Sequence, residues 1–341
     1  EYVHWQYPKN ENWLPYIVTC RGFSNGLKAS VVALVSSHCE EATNAVRIIP
    51  NTPHLPKRDL ALCHKFIFNP NRDFSIRLIE WLEALHAWGV DHVTIYESAA
   101  HPNVDKVLQH YQSTGFVTIM PWSNPGHQPN IPQLQRLWYD TQRYSLFTTE
   151  NIVYTDCLLR HLGSHRYVAV WDIDEFLLPT AHDSIPQLME AAQRSASQQG
   201  YHPPTSYLAK SAYFFDNVTE SPSSSGASSN FHMLNHIMRT VKLTPPLVHT
   251  KGIHDTSQAL GLHAHFALLN IRGEVNREQD LYHFYPATEG LLAHYRDRCQ
   301  TENQTECHEV FRPFQQRDTT MWRHKEKILN KAQDIINKLH L

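Results

Sequence analysis

The stretch from Leu60 to Phe68, LALCHKFIF, followed by Asp73 to Gly89, DFSIRLIEWLEALHAWG, and by Val93 to Tyr96, VTIY, decides the fold class. The first segment is a near-continuous apolar run bounded by turn residues, the pattern of a strand buried on both faces. Asp73 then precedes a helix whose apolar face is Phe74, Leu78, Trp81, Leu82, Leu85 and Trp88, at helical spacing, and Gly89 ends it. Val93 to Tyr96 is the next strand, Val104 to Tyr111 the next helix, ended by Gly115, and Phe116 to Met120 a third strand. A β-α-β-α-β series of this kind predicts an α/β fold with a central, mostly parallel sheet and right-handed crossovers.

A proline-rich loop through Pro121, Pro125, Pro129 and Pro132 leads to one long helix running toward Leu162, and the apolar run Tyr167 to Trp171 forms the fourth strand. That strand ends in the acids of VWDIDEFL (Val170–Leu177): Asp172, Asp174 and Glu175. Hard cations such as Mg²⁺ or Mn²⁺ take carboxylate oxygens and keep a substrate diphosphate as a further ligand. Ligands of open α/β sheets also bind at the carboxyl ends of strands. Asp-x-Asp also occurs in loops that merely cap the next helix, so the motif gains its meaning from this position.

Residues 58–341 read as one nucleotide-binding type of α/β domain, and residues 1–57, with two Cys, aromatics and strand-like runs such as Ser30 to Val35, as a small β-rich N-terminal appendage. Beyond Pro179, Ser184 caps a helix with Pro186 in its first turn. Strand-like pieces follow at Ser206 to Phe215, Met238 to Leu243 and Leu262 to Leu269, with a low-complexity loop at Ser221 to Ser229. The last helix carries Ile328, Leu329, Ala332, Ile335, Ile336 and Leu339 on one face, a stripe that packs on the domain or on a second subunit of a homodimer.

With 341 residues, 41% hydrophobic content and a net charge of −3, the chain reads as a soluble globular protein. No basic block alternates with aromatics, which sets nucleic acid aside as a partner. No apolar run reaches the roughly 20 residues that span a bilayer, so a membrane anchor is expected outside this chain. Asn217-Val-Thr219 and Asn303-Gln-Thr305 fit the N-glycosylation pattern, and the six Cys are an even number. Both features favour a lumenal or extracellular setting. The expected bridges are Cys299–Cys307, Cys20–Cys39 and Cys63–Cys157.

In chain order, Arg77-Leu-Ile-Glu80-Trp81, Gly89-Val-Asp-His-Val-Thr-Ile-Tyr96-Glu97, Tyr154-Thr-Asp156-Cys157-Leu-Leu-Arg160, Trp171-Asp172-Ile-Asp174-Glu175-Phe176 and Ala293-His294-Tyr295-Arg296 resemble glycosyltransferase family 92. The resemblance implies a GT-A fold, a type II Golgi membrane topology with a lumenal catalytic domain, and metal-dependent, inverting sugar transfer. It further implies a β-1,4-galactosyltransferase that uses UDP-galactose and acts on galactose or fucose of glycans.

On this reading Asp174 holds Mn²⁺ (or Mg²⁺), with Asp172 acting on the metal or through the ribose or a water. His294 or His254 completes the metal site, His294 being favoured by the family pattern. Glu97 reads equally as a ribose or uracil partner and as a helix-capping acid, and Asp156 either faces the same pocket or is a surface acid. Arg296 and Lys251 are candidate diphosphate partners. An inverting transfer needs a general base, for which Asp216, Glu220, Asp255 and Glu289 are the carboxylates available, with Asp255 first and Glu220 carried beside it. His263 and His265 are expected on one side of a strand. Two alternatives stay open: a glycan-binding protein that kept the fold without catalysis, and a zinc hydrolase. The second lacks a His-x-x-x-His pair beside a Glu in any helix.

Overall fold

The computed structural model describes residues 15–20, 29–37, 39–51, 53, 55–199, 202–216, 230–272, 281–296 and 306–341. Two short strands, β1 (Val31–Val32) and β2 (Val46–Arg47), pair antiparallel near the start. The decisive stretch then folds as read, into β3 (Arg58–Asn69), α1 (Ser75–Ala87) and β4 (His92–Ala100). Gly89 ends α1 at φ +94°, a left-handed conformation that only glycine adopts without strain. Next come α2 (Pro102–Ser113), opened by Pro102 and His101, and β5 (Val117–Pro121).

The single long helix expected next is two, α3 (Pro132–Thr141) and α4 (Arg143–His161). Gln142 between them leaves helical geometry at φ −115°, ψ 67°. Just before it, the Thr141 hydroxyl donates to the carbonyls of Leu137 and Trp138, a back-bond that competes with the helix ladder.

The chain continues through β6 (His165–Val170), β7 (Glu175–Pro179) and α5 (Ile185–Gln198), whose N-cap Ser184 accepts from Gln187 N–H. The expected strand at 206–215 is split at Lys210 into β8 (Ser206–Ala209) and β9 (Ser211–Phe215), which enter different sheets. There follow β10 (Met238–Thr240) and β11 (Lys251–Asp255). In place of one strand at 262–269, β12 (Ala259–Leu262) and β13 (Ala267–Asn270) make an antiparallel pair, and His263 and His265 lie in its turn. Last come β14 (Tyr282–Phe284), β15 (Gly290–Arg296), a π-helical turn at Cys307–Phe311, β16 (Gln315–Arg317) and α6 (Lys325–Leu339).

The main sheet runs β14-β8-β11-β6-β3-β4-β5. Strands β6, β3, β4 and β5 are mutually parallel, β14 is parallel to β8, and β11 is antiparallel to both its neighbours. The chain builds outward from β3 through β4 to β5, then returns to lay β6 on the other side of β3. The carboxyl ends of β3 and β6 therefore flank a topological switch point, where a crevice opens in a parallel sheet. A second sheet, β16-β10-β9-β15-β7, receives the chain directly after the acids of 172–175.

One core packs α1, α2 and α5 on the main sheet through Leu78, Trp81, Leu85, Val107 and Leu188. The stripe of α6 joins this core through Ile328, Ala332 and Ile335, so it packs within the domain. A second core places Tyr154, Cys157 and Leu158 of α4 against Ala61, Cys63 and Val168 on the opposite face. The Cys63–Cys157 disulfide forms as expected and ties β3 to α4. Cys20 and Cys39 are not joined to each other: Cys20, in a short extended piece, is an exposed free thiol. Cys307 is disulfide-bonded, and its expected partner Cys299 lies outside the described residues, as do both glycosylation sequons. Among the described residues no helix is long and apolar enough to cross a membrane.

Candidate active site

The link between β6 and β7 is a tight turn that the rest of the fold holds from several sides. Glu175 N–H donates to the Asp172 carbonyl at 2.9 Å, and the Glu175 carboxylate accepts from Asp172 N–H at 3.1 Å. Trp81 Nε1 of α1 donates to the Glu175 carbonyl at 3.0 Å, and Tyr295 N–H of β15 to the Asp174 carbonyl at 2.8 Å. The turn is thereby fixed at the switch point, with the three carboxylates pointing into different surroundings.

Asp172 is clamped between two lysines. Its Oδ1 lies 3.1 Å from Lys65 Nζ of β3 and its Oδ2 3.1 Å from Lys251 Nζ of β11. Lys65 also meets Glu150 of α4 at 3.1 Å, and Lys251 meets Glu175 at 3.1 Å. Burial alone would raise the Asp172 carboxyl, but Lys251 and Lys65 hold it well below its ordinary range. Burial likewise opposes the two ammonium groups, yet Asp172 raises both, joined by Glu150 at Lys65 and by Glu175 at Lys251. Both Asp172 oxygens are thus committed to cations. A metal or a ribose at Asp172 would have to take one of these oxygens from Lys65 or Lys251.

Asp174 and Glu175 differ from it. Asp174 keeps 40% of its side chain exposed, and its Oδ2 lies 3.5 Å from His294 Nε2 of β15. Burial raises its carboxyl, but the hydrogen bond and charge of His294 together with Lys65 hold it below its ordinary value. Glu175 is buried, which raises its carboxyl against the pull of Lys251, and its Oε1 lies 3.6 Å from His294 Nδ1. The Arg296 Nε donates to His294 Nε2 at 3.1 Å while its guanidinium stacks 5.4 Å from the Tyr213 ring. Asp174 and His294 sit at about the spacing of two neighbouring ligands on one divalent ion with bonds of about 2.1 Å. Because His294 Nε2 accepts from Arg296, Asp174 and His294 could share a divalent ion only if Arg296 gave up that hydrogen bond.

The remaining sequence candidates scatter. Glu97 lies in the carboxyl half of β4, in register with Ile67 of β3, half-buried, its carboxyl raised by burial and by Asp105. Asp156 of α4 accepts from the Tyr96 hydroxyl at 2.5 Å and from Arg160 Nε at 2.6 Å, a network beside β4 that commits it to protein partners. His254 is fully buried, its Nδ1 2.9 Å from Ser206 Oγ, and burial drives it down to about 3. It pairs with Val168 in mid-sheet, so the alternative of His254 as metal ligand is corrected in favour of His294.

Asp255 is registered with Tyr167 near the start of β6, five residues from Asp172, which is roughly 16 Å along a strand. Its carboxylate accepts from Ser257 N–H and Oγ. As a general base beside the acids it is therefore corrected, since β11 runs antiparallel to β6 and delivers Lys251, not Asp255, to the site. Glu220 lies outside the described residues. Lys65 and Glu150 were not singled out in the sequence. The available signal was a lysine inside an otherwise apolar strand, because a buried ammonium requires a carboxylate partner.

The model of glycosyltransferase family 92 matches residues 58–339, from the start of β3 to the end of α6. The chain belongs to glycosyltransferase family 92. Beta-1,4-galactosyltransferase galt-1 of Caenorhabditis elegans is 21% identical over 263 residues, 73% of this chain and 56% of that protein. The glycosyltransferase family 92 protein C33H5.2 of the same organism is 26% identical over 129 residues, 37% of this chain and 24% of that one. The chain thus spans about half or less of the curated family 92 relatives it matches. Among solved structures, Staphylococcus aureus TarS 1-349 in complex with UDP-GlcNAc covers 72% of this chain and 60% of its own, with 10% identity and a TM-score of 0.34.

Proposed function

We propose that this chain is the catalytic domain of a glycosyltransferase that moves galactose from UDP-galactose to a hydroxyl of a glycan acceptor. The observation that carries the reading is the pairing of Asp174 with His294 at the switch point of the sheet, beside the buried cations Lys65 and Lys251. Asp174 and His294 would hold a Mn²⁺ or Mg²⁺ ion, which neutralises negative charge on a departing diphosphate.

The chain's own residues supply the rest. Lys65, about one third exposed and paired with Asp172 and Glu150, would meet the donor diphosphate. Arg296 orients the His294 ring, and the half-buried Glu97 would accept from a ribose hydroxyl or from the uracil N3–H. In the transfer the acceptor oxygen attacks the anomeric carbon, the bond from that carbon to the diphosphate oxygen breaks with its electron pair, and the acceptor proton passes to a base. Galactose as the sugar is supported by the relationship to galt-1. A lumenal site in the Golgi, with the membrane anchor outside this chain, is part of the proposal, and the Cys63–Cys157 disulfide supports an oxidising compartment.

The test is turnover of a panel of nucleotide sugars with Mn²⁺ present and then chelated, on the wild type and on Asp174→Ala. UDP-galactose turnover that needs both the ion and Asp174 supports the reading. Metal-dependent turnover undiminished in Asp174→Ala sinks the metal assignment, and turnover of no UDP-sugar sinks the donor class.

A further inference from the structure

The sequence His232-Met-Leu-Asn-His236 is a His-x-x-x-His pair outside the donor site. The His236 N–H donates to the His232 carbonyl at 3.1 Å, closing one helical turn that sets both rings on the same side. The ring centroids are 4.2 Å apart, and each Nε2 lies 2.9 Å from Oδ1 of Asp216, the residue that follows β9. One ligand atom from each of the three residues lies within 4.8 Å of the others.

The tautomers make this cluster unusual. His236 Nδ1 is 2.6 Å from the His232 carbonyl and must carry its proton there. The Nε2 of a neutral His236 is then a bare lone pair facing a carboxylate oxygen, and it makes no hydrogen bond although the residue is only 9% exposed. A nitrogen and an anionic oxygen in this arrangement need a cation between them. A divalent metal serves both nitrogens at once, with His232 moving its proton to Nδ1.

We propose that Asp216, His232 and His236 form a zinc site distinct from the donor site. Two imidazole nitrogens and one carboxylate oxygen suit Zn²⁺ better than Mg²⁺ or Ca²⁺. The hydrogen bond from His236 Nδ1–H to a backbone carbonyl is the kind of outer support that metal-bound histidines commonly have. Glu80 of α1 holds the turn from beneath, accepting from His232 N–H at 2.6 Å and Leu234 N–H at 2.9 Å.

Strand alternation separates the two sites. Tyr295 of β15 faces the histidine pair and Phe214, whereas His294 packs on Tyr213 of the opposite face. Asp216 follows Phe214 in register, so the second sheet lies between the zinc ligands and Asp174. The ion clips the end of β9 to the turn that Glu80 anchors on α1.

The experiment is zinc and cobalt binding to the metal-stripped chain in the Asp174→Ala background, which removes the donor-site ligand. One equivalent of Zn²⁺ retained after desalting, a visible Co²⁺ spectrum of low-symmetry N/O type, and a rise in thermal midpoint of roughly 5 °C at saturating Zn²⁺ are expected. Asp216→Asn and His236→Gln, each added to that background, should lose the equivalent. Asp216 is partly exposed, so Asp216→Asn remains informative if His236→Gln does not fold. Absence of bound metal in the folded Asp174→Ala chain, or retention of the equivalent by folded Asp216→Asn, overturns the proposal. Failure of sugar turnover in the earlier test would leave this outcome untouched, because the readout is metal content and spectrum.

Discussion

At the residue scale, two acids two positions apart have opposite consequences. Lys251 has 3% of its side chain exposed and Glu175 4%, and with Asp172 they form a charged cluster out of water. Removing one member leaves the others unpaired, so Lys251→Ala is expected to cost about 3–5 kcal/mol, measured as a shift in the urea midpoint. Asp174→Ala, at a carboxylate 40% exposed, is expected to cost under about 1 kcal/mol in the same titration while abolishing metal-dependent turnover. Equal losses of stability in the two variants would contradict this division. The sequence reading placed both acids at the strand end and gave the metal first to Asp174, but it did not foresee the lysines that engage Asp172. Asp172 and Asp174 look alike in a motif, and what distinguishes them is Lys65, 107 residues upstream of Asp172, and Lys251, 79 residues downstream.

At the scale of elements, local pattern was a reliable guide where neighbours in sequence are neighbours in space. β3, α1, β4, α2 and β5 were legible from apolar spacing, and Gly89 from its place after the last apolar position of α1. The errors fall where a break depends on distant partners. Lys210 separates β8 from β9 because β8 pairs with β11 while β9 pairs with β15, and nothing in the run Ser206 to Phe215 announces that change of sheet. The hairpin of β12 and β13 was missed for the same reason, whereas the interruption at Gln142 has a local cause, the Thr141 back-bond to Leu137 and Trp138. The pairing of Cys63 with Cys157 was legible, and it closes a loop with a sequence separation of 94. Converting both cysteines to alanine is therefore expected to lower stability by about 2–5 kcal/mol, read from denaturant unfolding under non-reducing conditions. An unchanged midpoint would mean that the cores on either side of the sheet hold α4 to β3 without the bridge.

At the scale of the whole molecule, the 24 histidines set the response to acid. Several of them are buried and neutral. Burial lowers His161 and His265 to about 3, His254 to about 3 and His263 to about 2, against an ordinary value of 6.5. A histidine depressed in the folded state binds its proton more readily in the unfolded chain. The stability it contributes is present above 6.5 and is lost as pH falls from there toward the folded values. Between pH 6 and 4 each of the four can remove up to about 1.4 kcal/mol per pH unit, together several kcal/mol per unit against a total stability of about 5–15 kcal/mol. The pairing of Asp172 with Lys251 and Lys65 does not share this sensitivity: Asp172 stays charged until pH falls below its ordinary 3.8, and Lys251 stays charged beyond its ordinary 10.5. Acid unfolding is therefore expected near pH 5, with uptake of about four protons, before Asp172 titrates. Thermal midpoints measured from pH 7.5 to 4 test this. His254→Asn, which keeps a partner for Ser206, should reduce the pH slope by about one proton, whereas a slope unchanged in that variant, or a chain fully stable at pH 4, would rule out histidine burial as the cause.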